Sequence, residues 1–153
     1  MDFALEFHVG KHGVAYNGIS VFATSSTGAY TGNYVSDEPC LKRRIPEALQ
    51  GHLSDVCKNL QRHLQNVYSQ GYSGPLGVDM MVVEHKGEKY IHPCVEVNLR
   101  QTMGNVCVSL RSQLRRGAAI YRLRPVGETT ESTLVLTPCA KRIEAVLQTE
   151  EAE

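Results

Sequence analysis

The sequence predicts an α+β fold, a mostly antiparallel sheet with packed helices, in a single domain over 1–153. Three observations carry that expectation. Strand-like runs come in pairs separated by turns of a few residues. The longest apolar periodicity is helical. Strands and helices do not alternate one by one, as a doubly wound parallel sheet requires. No repeat, low-complexity tract or Pro/Ser-rich linker divides the 153 residues, a length able to bury its own core.

The elements follow in order. Residues 2–9 (DFALEFHV) and 14–24 (VAYNGISVFAT) read as strands rich in β-branched and aromatic residues, with Lys11-His12-Gly13 as the hairpin turn. The polar, glycine-bearing stretch Ser25 to Asn33 (SSTGAYTGN) reads as a surface loop. Ser36-Asp37-Glu38-Pro39 marks a helix start, with Ser36 as the cap and proline in the first turn. Pro46 interrupts or restarts that helix. Leu49, Leu53, Val56, Cys57, Leu60, Leu64, Val67 and Tyr68 then recur at three- and four-residue steps, predicting one amphipathic helix over 46–70 that stops at Gly71. His52 and His63 fall off its stripe and read as solvated.

Residues 76–84 (LGVDMMVVE) and 89–99 (KYIHPCVEVNL) form the next strand pair, turning through His85-Lys86-Gly87-Glu88. Pro93 inside the second strand calls for an edge position or a bulge. Residues 101–116 suit a helix with Val106, Leu110 and Leu114 on one face. Segments 118–123 and 133–137 read as a further strand pair, and 138–150 as a terminal helix.

Composition narrows the function classes. Sixteen basic and sixteen acidic side chains cancel, which removes the long-range argument for nucleic acid or an anionic membrane as partner. Tryptophan is absent and aromatics are 7%, too few to suggest a base-stacking platform. No apolar run approaches the ~20 residues of a spanning helix, and Met1-Asp2-Phe3-Ala4-Leu5-Glu6 has no signal-peptide pattern, so the cytoplasm is the expected compartment. The five cysteines, at 40, 57, 94, 107 and 139, form no C-x-x-C pair and read as reduced, packed thiols. Lys42-Arg43-Arg44 reads as a solvated helix face.

Three polar residues stand where a core strand prefers apolar ones. Asp79 follows Gly77-Val78 in mid-strand; Glu96 and Asn98 alternate with Val95, Val97 and Leu99 after the turn. The two-residue period puts Glu96 and Asn98 on one face, and a turn centred near residue 87 brings Asp79 opposite residues 94 to 96. Two carboxylates and an amide oxygen then meet on one patch. Carboxylates that close repel unless a cation lies between them or one is protonated, and hard oxygen ligands suit Mg²⁺. Ordinary alternation, one buried and one solvated face, is the other reading of this pattern. Arg100 extends the same face and suits an anionic oxygen. His85, His92 and Cys94 match no soft-metal spacing.

The stretch from Gly71 to Gly104, GYSGPLGVDMMVVEHKGEKYIHPCVEVNLRQTMG, resembles the carboxyl-terminal half of the ATP-grasp fold. In that superfamily an acidic residue on one strand is followed, across a hairpin, by a Glu-x-Asn pair, and these commonly hold the Mg²⁺ ions that bridge the phosphates of ATP. The resemblance places Asp79, Glu96 and Asn98 in those positions, within a hairpin motif over 76–100. It places Arg100 where some branches carry an arginine facing the substrate or the transferred phosphoryl group. The stretch from Asp2 to Asn33 is similar to the strand pair and loop before the long helix of this half. Glu6 lies there on a strand that often bears acidic residues near the nucleotide, so the resemblance makes it a candidate cofactor-binding residue.

What the resemblance implies is an ATP-dependent ligase: a small carboxylate attacks the γ-phosphate, and an amine or similar nucleophile displaces the acyl phosphate. ATP and Mg²⁺ are the implied cofactors. The phosphate-covering glycine-rich loop, the strand lysine and the adenine hinge of the family's other half have no counterpart in these residues. Met1 opens directly onto a strand, and the chain is expected to be the carboxyl-terminal half of a longer enzyme, inactive alone and completed by a missing amino-terminal half. A non-catalytic interaction or regulatory domain with the same fold is the alternative. Residues after 117 carry no functional signal.

Overall fold

A computed structural model describes residues 1–68, 71–113, 118–125, 133–136 and 143–149. Among the described residues eight strands form one sheet in the order β5-β4-β1-β2-β3-β6-β8-β7, and each of their pairings is antiparallel. The α+β expectation is met. β1 (Asp2–Gly10) and β2 (Gly13–Thr24) make the first hairpin, closed by the Gly10–Gly13 pair around Lys11-His12. β4 (Gly74–His85) and β5 (Glu88–Asn98) make the second. Its turn places Lys86 and Gly87 at φ 52° and 80°, the positive values of a tight two-residue hairpin turn. β5 is an edge strand, and its ladder breaks between the Asp79–Glu96 and Met81–His92 pairs. Pro93 therefore satisfies both conditions that a proline in a strand demands.

The two faces of the sheet bury different things because β1 alternates strictly. Phe3, Leu5, Phe7 and Val9 point to one face, where α1 (Glu38–Arg43), α2 (Glu47–Gln50) and α3 (Leu53–Tyr68) deliver Leu41, Leu49, Leu53 and Leu64 onto them, with Ile45 from the α1–α2 link. Each fully buried side chain of this kind contributes ~1.5–3 kcal/mol, so this layer is the main source of stability. Asp2, Ala4 and Glu6 point to the other face. There α4 (Met103–Leu110) packs Cys107, with Met103, Val106 and Leu110, against Val35, Ala119 and Tyr121. Among the described residues α4 covers part of this face, and a cleft lies over another part.

α3 is tied to β2 by more than packing. Gln65 Oε1 accepts from the backbone N–H of Val14 at 2.8 Å, and Gln61 Nε2 donates to the Val14 carbonyl. Two glutamines one helical turn apart thus satisfy both backbone groups of one strand residue.

Several elements differ from expectation. Tyr30–Val35 is a strand, β3, rather than the second half of a loop. Its Gly32 has φ 156°, and a Cβ there would lie 2.7 Å from the Tyr121 carbonyl oxygen. Glycine is present because β6 (Ala119–Pro125) approaches closely, not because the chain turns. The expected 46–70 helix is two helices, broken at Gly51-His52, and Val67 in the last turn of α3 is 66% exposed. The cap of α1 is Asp37, not Ser36: its carboxylate accepts from Cys40 N at 2.7 Å. The helix over 101–116 is α4 followed by a short 3-10 turn, Arg111–Gln113; Leu114 lies outside the described residues.

The expected terminal helix over 138–150 is contradicted: Ile143–Thr149 is a strand, β8. It lies between β6 and β7 (Thr133–Leu136), so the two expected partner strands do not pair with each other. Ile-Glu-Ala-Val-Leu-Gln-Thr is short enough to fit either period, and pairing on both edges decides it. Cys40, Cys57, Cys94 and Cys107 are free thiols; Cys107 is buried, whereas Cys94 is exposed rather than packed. His52 and His63 are exposed, as expected. No helix among the described residues is long and apolar enough to cross a membrane.

Candidate functional site

Cross-strand pairing assembles the open face. Glu96 pairs with Asp79, Asp79 with Ala4, and Ala4 with Ser20, so four side chains stand in a row on one face. The next row is Asn98, Gly77, Glu6 and Gly18. The expected pairing of Asp79 with residues 94 to 96 is realised at Glu96. A cleft of about 400 Å³ lies over these rows, lined among others by Glu6, Asp79, Glu96, Asn98 and Arg100. All five sequence-expected residues are thus brought to one cavity. Small residues are part of its lining: Ala4 is in the floor, and Gly28 and Gly104 also face it.

At the β4–β5 end, Asn98 Nδ2 donates to Asp79 Oδ2 at 3.1 Å, and Arg100 Nη2 donates to Asn98 Oδ1 at 2.9 Å. Asp79 is half-buried, Asn98 is buried, and Glu96 and Arg100 are exposed. Burial, and then the charge of Glu96, push the Asp79 carboxyl above its ordinary range; the Asn98 hydrogen bond and the Arg100 guanidinium act the other way. Among the described residues no three His, Cys, Asp or Glu side chains form a metal-binding group. The donor set is two carboxylates and one amide oxygen. Its chemistry fits Mg²⁺, a cation that takes few protein oxygens and keeps positions for water and phosphate. The Asn98 amide oxygen accepts from Arg100 and keeps a second lone pair for another partner.

Glu6 is different in kind. It lies in the cleft floor, 1% exposed. Its Oε1 accepts from Ser20 Oγ at 2.9 Å; its Oε2 accepts from Thr102 Oγ1 at 2.8 Å and Asn105 Nδ2 at 2.6 Å. Burial pushes its carboxyl up to about 7, against the three hydrogen bonds, which pull it down. Thr102 is also the N-cap of α4, accepting from Asn105 N at 2.9 Å. One carboxylate therefore joins β1, β2 and the start of α4. Between Asn98 and that helix four residues intervene, and Arg100 is one of them.

The partners Ser20, Thr102 and Asn105 escape a sequence reading because each is an ordinary polar residue in its own segment. Thr102, three residues before Asn105 and next to an apolar run, carries a capping signal that locates it at the helix start. The β2–β3 end of the cleft is likewise unanticipated. Phe22 and Tyr30 lie with ring centroids 6.4 Å apart, and Tyr30 donates to Asn33 Oδ1. The turn before Tyr30 is held from within: Ser25 N donates to the Ala29 carbonyl at 2.8 Å, and Ser25 Oγ accepts from Ala29 N at 3.1 Å.

No protein-family model matches the sequence. No curated protein matches it either. In three dimensions the chain is similar to the crystal structure of a protein from Archaeoglobus fulgidus assigned to the ATP-grasp superfamily, with a TM-score of 0.56 and 16% sequence identity. The match covers 98% of this chain and 46% of that one, so this chain spans under half the length of the protein it resembles. The architecture of this chain is that of an ATP-grasp-like domain.

Proposed function

We propose that the cleft is the phosphate-binding side of an ATP-dependent carboxylate ligase, and that this chain supplies one half of its active site. The observation that carries this reading is the register match of Asp79 with Glu96, with Asn98 bonded to Asp79 on the same face. Two facing carboxylates are unfavourable alone and become favourable around a cation. Asp79, Glu96 and Asn98 would hold Mg²⁺, which when bound neutralises phosphate charge. Arg100, exposed at the cleft rim, offers a planar donor to a phosphoryl or carboxylate oxygen. The reaction is the attack of a substrate carboxylate on the γ-phosphorus with ADP leaving, followed by displacement of phosphate from the acyl phosphate by an amine. Neither carboxylate of the hairpin moves a proton here; both act by charge and position.

Glu6, with both oxygens turned to protein partners, serves as a positioning residue. It holds the start of α4, and with it the short link carrying Arg100, against the sheet. The similar structure is more than twice as long, which supports a second half completing the site.

Calorimetric titration of ATP into this chain, with and without Mg²⁺, tests the proposal. Mg²⁺-dependent binding is expected, weakened about tenfold or more by Asp79→Asn and by Glu96→Gln, with negligible turnover by the chain alone. Binding indifferent to both Mg²⁺ and these substitutions would contradict the site and favour a non-catalytic domain. Robust turnover abolished by Glu96→Gln would contradict the half-site part of the reading.

A further inference from the structure

The cleft is chemically two-ended. At the β4–β5 end stand Asp79, Glu96, Asn98 and Arg100; at the β2–β3 end stand Phe22, Thr24, Tyr30 and Asn33, which carry no charge. Ala4 lies between the two in the floor, too small to divide them. Tyr30 is 38% exposed although it is a large aromatic residue, and it lines the cleft. Its orientation is fixed by the hydroxyl bond to Asn33 and by the internally bonded turn that precedes it. A fixed, exposed ring beside Phe22, with Met103 from α4 also in the lining, makes an apolar slot that needs no rearrangement before binding.

Charge selects what enters. Arg100 is the sole cation among the described lining residues, and it belongs to the far end. A carboxylate placed at the Phe22–Tyr30 end would meet no cation among the described residues lining that end, and it would face Asp79 and Glu96 across Ala4. An ammonium is attracted by the same two carboxylates and, on the reading above, by the phosphates of bound nucleotide. An aromatic body against Tyr30 and an ammonium directed toward Ala4 satisfy both ends together.

We propose that the Phe22–Tyr30 end of the cleft is the subsite for the amine substrate, captured as a primary ammonium on an aromatic or similarly flat apolar body; it loses one proton to solvent and attacks as the free amine, and the second proton leaves with the displaced phosphate. This rests on the assignment of the Asp79–Glu96 end to nucleotide phosphates, and it adds which of the two substrates lies where. The carboxylate substrate is left to the Arg100 end.

The test uses phenethylamine and its anionic counterpart phenylacetate as probes, followed by amide and aromatic-ring NMR shifts on the intact chain, with ATP-Mg²⁺ binding measured in parallel. Phenethylamine is expected to shift Phe22, Tyr30 and Asn33, to bind about tenfold tighter than phenylacetate, and to lose about tenfold in Tyr30→Ala. Tyr30→Ala is expected to keep its ATP-Mg²⁺ binding, which shows that the variant is folded. Tyr30→Phe, which keeps the ring but removes the hydroxyl bond to Asn33, is expected to bind the probe more weakly than the wild type and more tightly than Tyr30→Ala. Phenylacetate binding as well as phenethylamine, or shifts confined to other surfaces, would overturn the subsite. Phenethylamine binding at Tyr30 in a chain that binds no ATP-Mg²⁺ would support the slot and overturn the nucleotide assignment instead.

Discussion

Gly104→Ala is expected to destabilise the protein by at least ~3 kcal/mol, the range of overpacking combined with broken buried hydrogen bonds. A Cβ at this position would lie 1.9 Å from Glu6 Oε1 and 2.4 Å from Ser20 Oγ, distances that no pair of unbonded heavy atoms tolerates. The Glu6 carboxylate is the end of a side chain, and elsewhere it would swing aside. Here it is buried and holds three donors from two directions. Moving it strands the Thr102 and Asn105 donors; leaving it in place expels α4 from the sheet. Urea unfolding measures the loss as a lower midpoint. The double variant Glu6→Ala/Gly104→Ala is expected to lose less than the sum of the single variants, by ~1 kcal/mol or more, because the closer of the two clashes, with the carboxylate, exists only while both groups are present. A loss under ~1 kcal/mol for Gly104→Ala would mean that α4 is not seated on Glu6 as described.

The second large effect is on pH dependence. A glutamate in the unfolded chain ionises near 4.5, whereas burial pushes native Glu6 up to about 7. Between those values the native state binds more protons than the unfolded one, so stability falls as pH rises through this window. The contribution is fully present below about 4.5 and lost above about 7; a difference of ~2.5 units corresponds to ~3 kcal/mol. Asp79, also raised, acts with the same sign, while Asp37, lowered chiefly by its hydrogen bond from Cys40, acts with the opposite one. The informative quantity is therefore the difference between the wild type and Glu6→Gln. Unfolding free energies at pH 5, 6, 7 and 8 are expected to show the glutamine variant gaining on the wild type at each step. Parallel curves would show that Glu6 titrates as an exposed glutamate does.

The distribution of successes in the sequence reading has a physical basis. Asp79, Glu96 and Asn98 were legible because hairpin register is local: a two-residue turn at Lys86-Gly87 and a period of two leave few possible pairings. Glu6 became a candidate through the family resemblance alone, and its partners were not legible, since Thr102 and Asn105 lie 96 and 99 residues away along the chain. The errors share a cause as well. β3 reads as a loop because Gly32 answers to the backbone of β6, a strand nearly ninety residues downstream. β8 reads as a helix because a seven-residue apolar-polar segment takes its period from the strands on either side. Where a segment's conformation is set by its own turn or cap, the sequence shows it; where a distant strand sets it, the sequence does not.

The central claim is that the Asp79–Glu96–Asn98 patch holds a divalent cation beside nucleotide phosphates. Paramagnetic Mn²⁺, added with ATP to the isotope-labelled chain, reports on it directly through distance-dependent broadening of amide signals. Signals around Asp79, Glu96 and Asn98 are expected to broaden first, those of the His85–Glu88 turn later, and the selectivity is expected to vanish in Asp79→Asn. Broadening that starts elsewhere, or that persists unchanged in Asp79→Asn, would contradict the account.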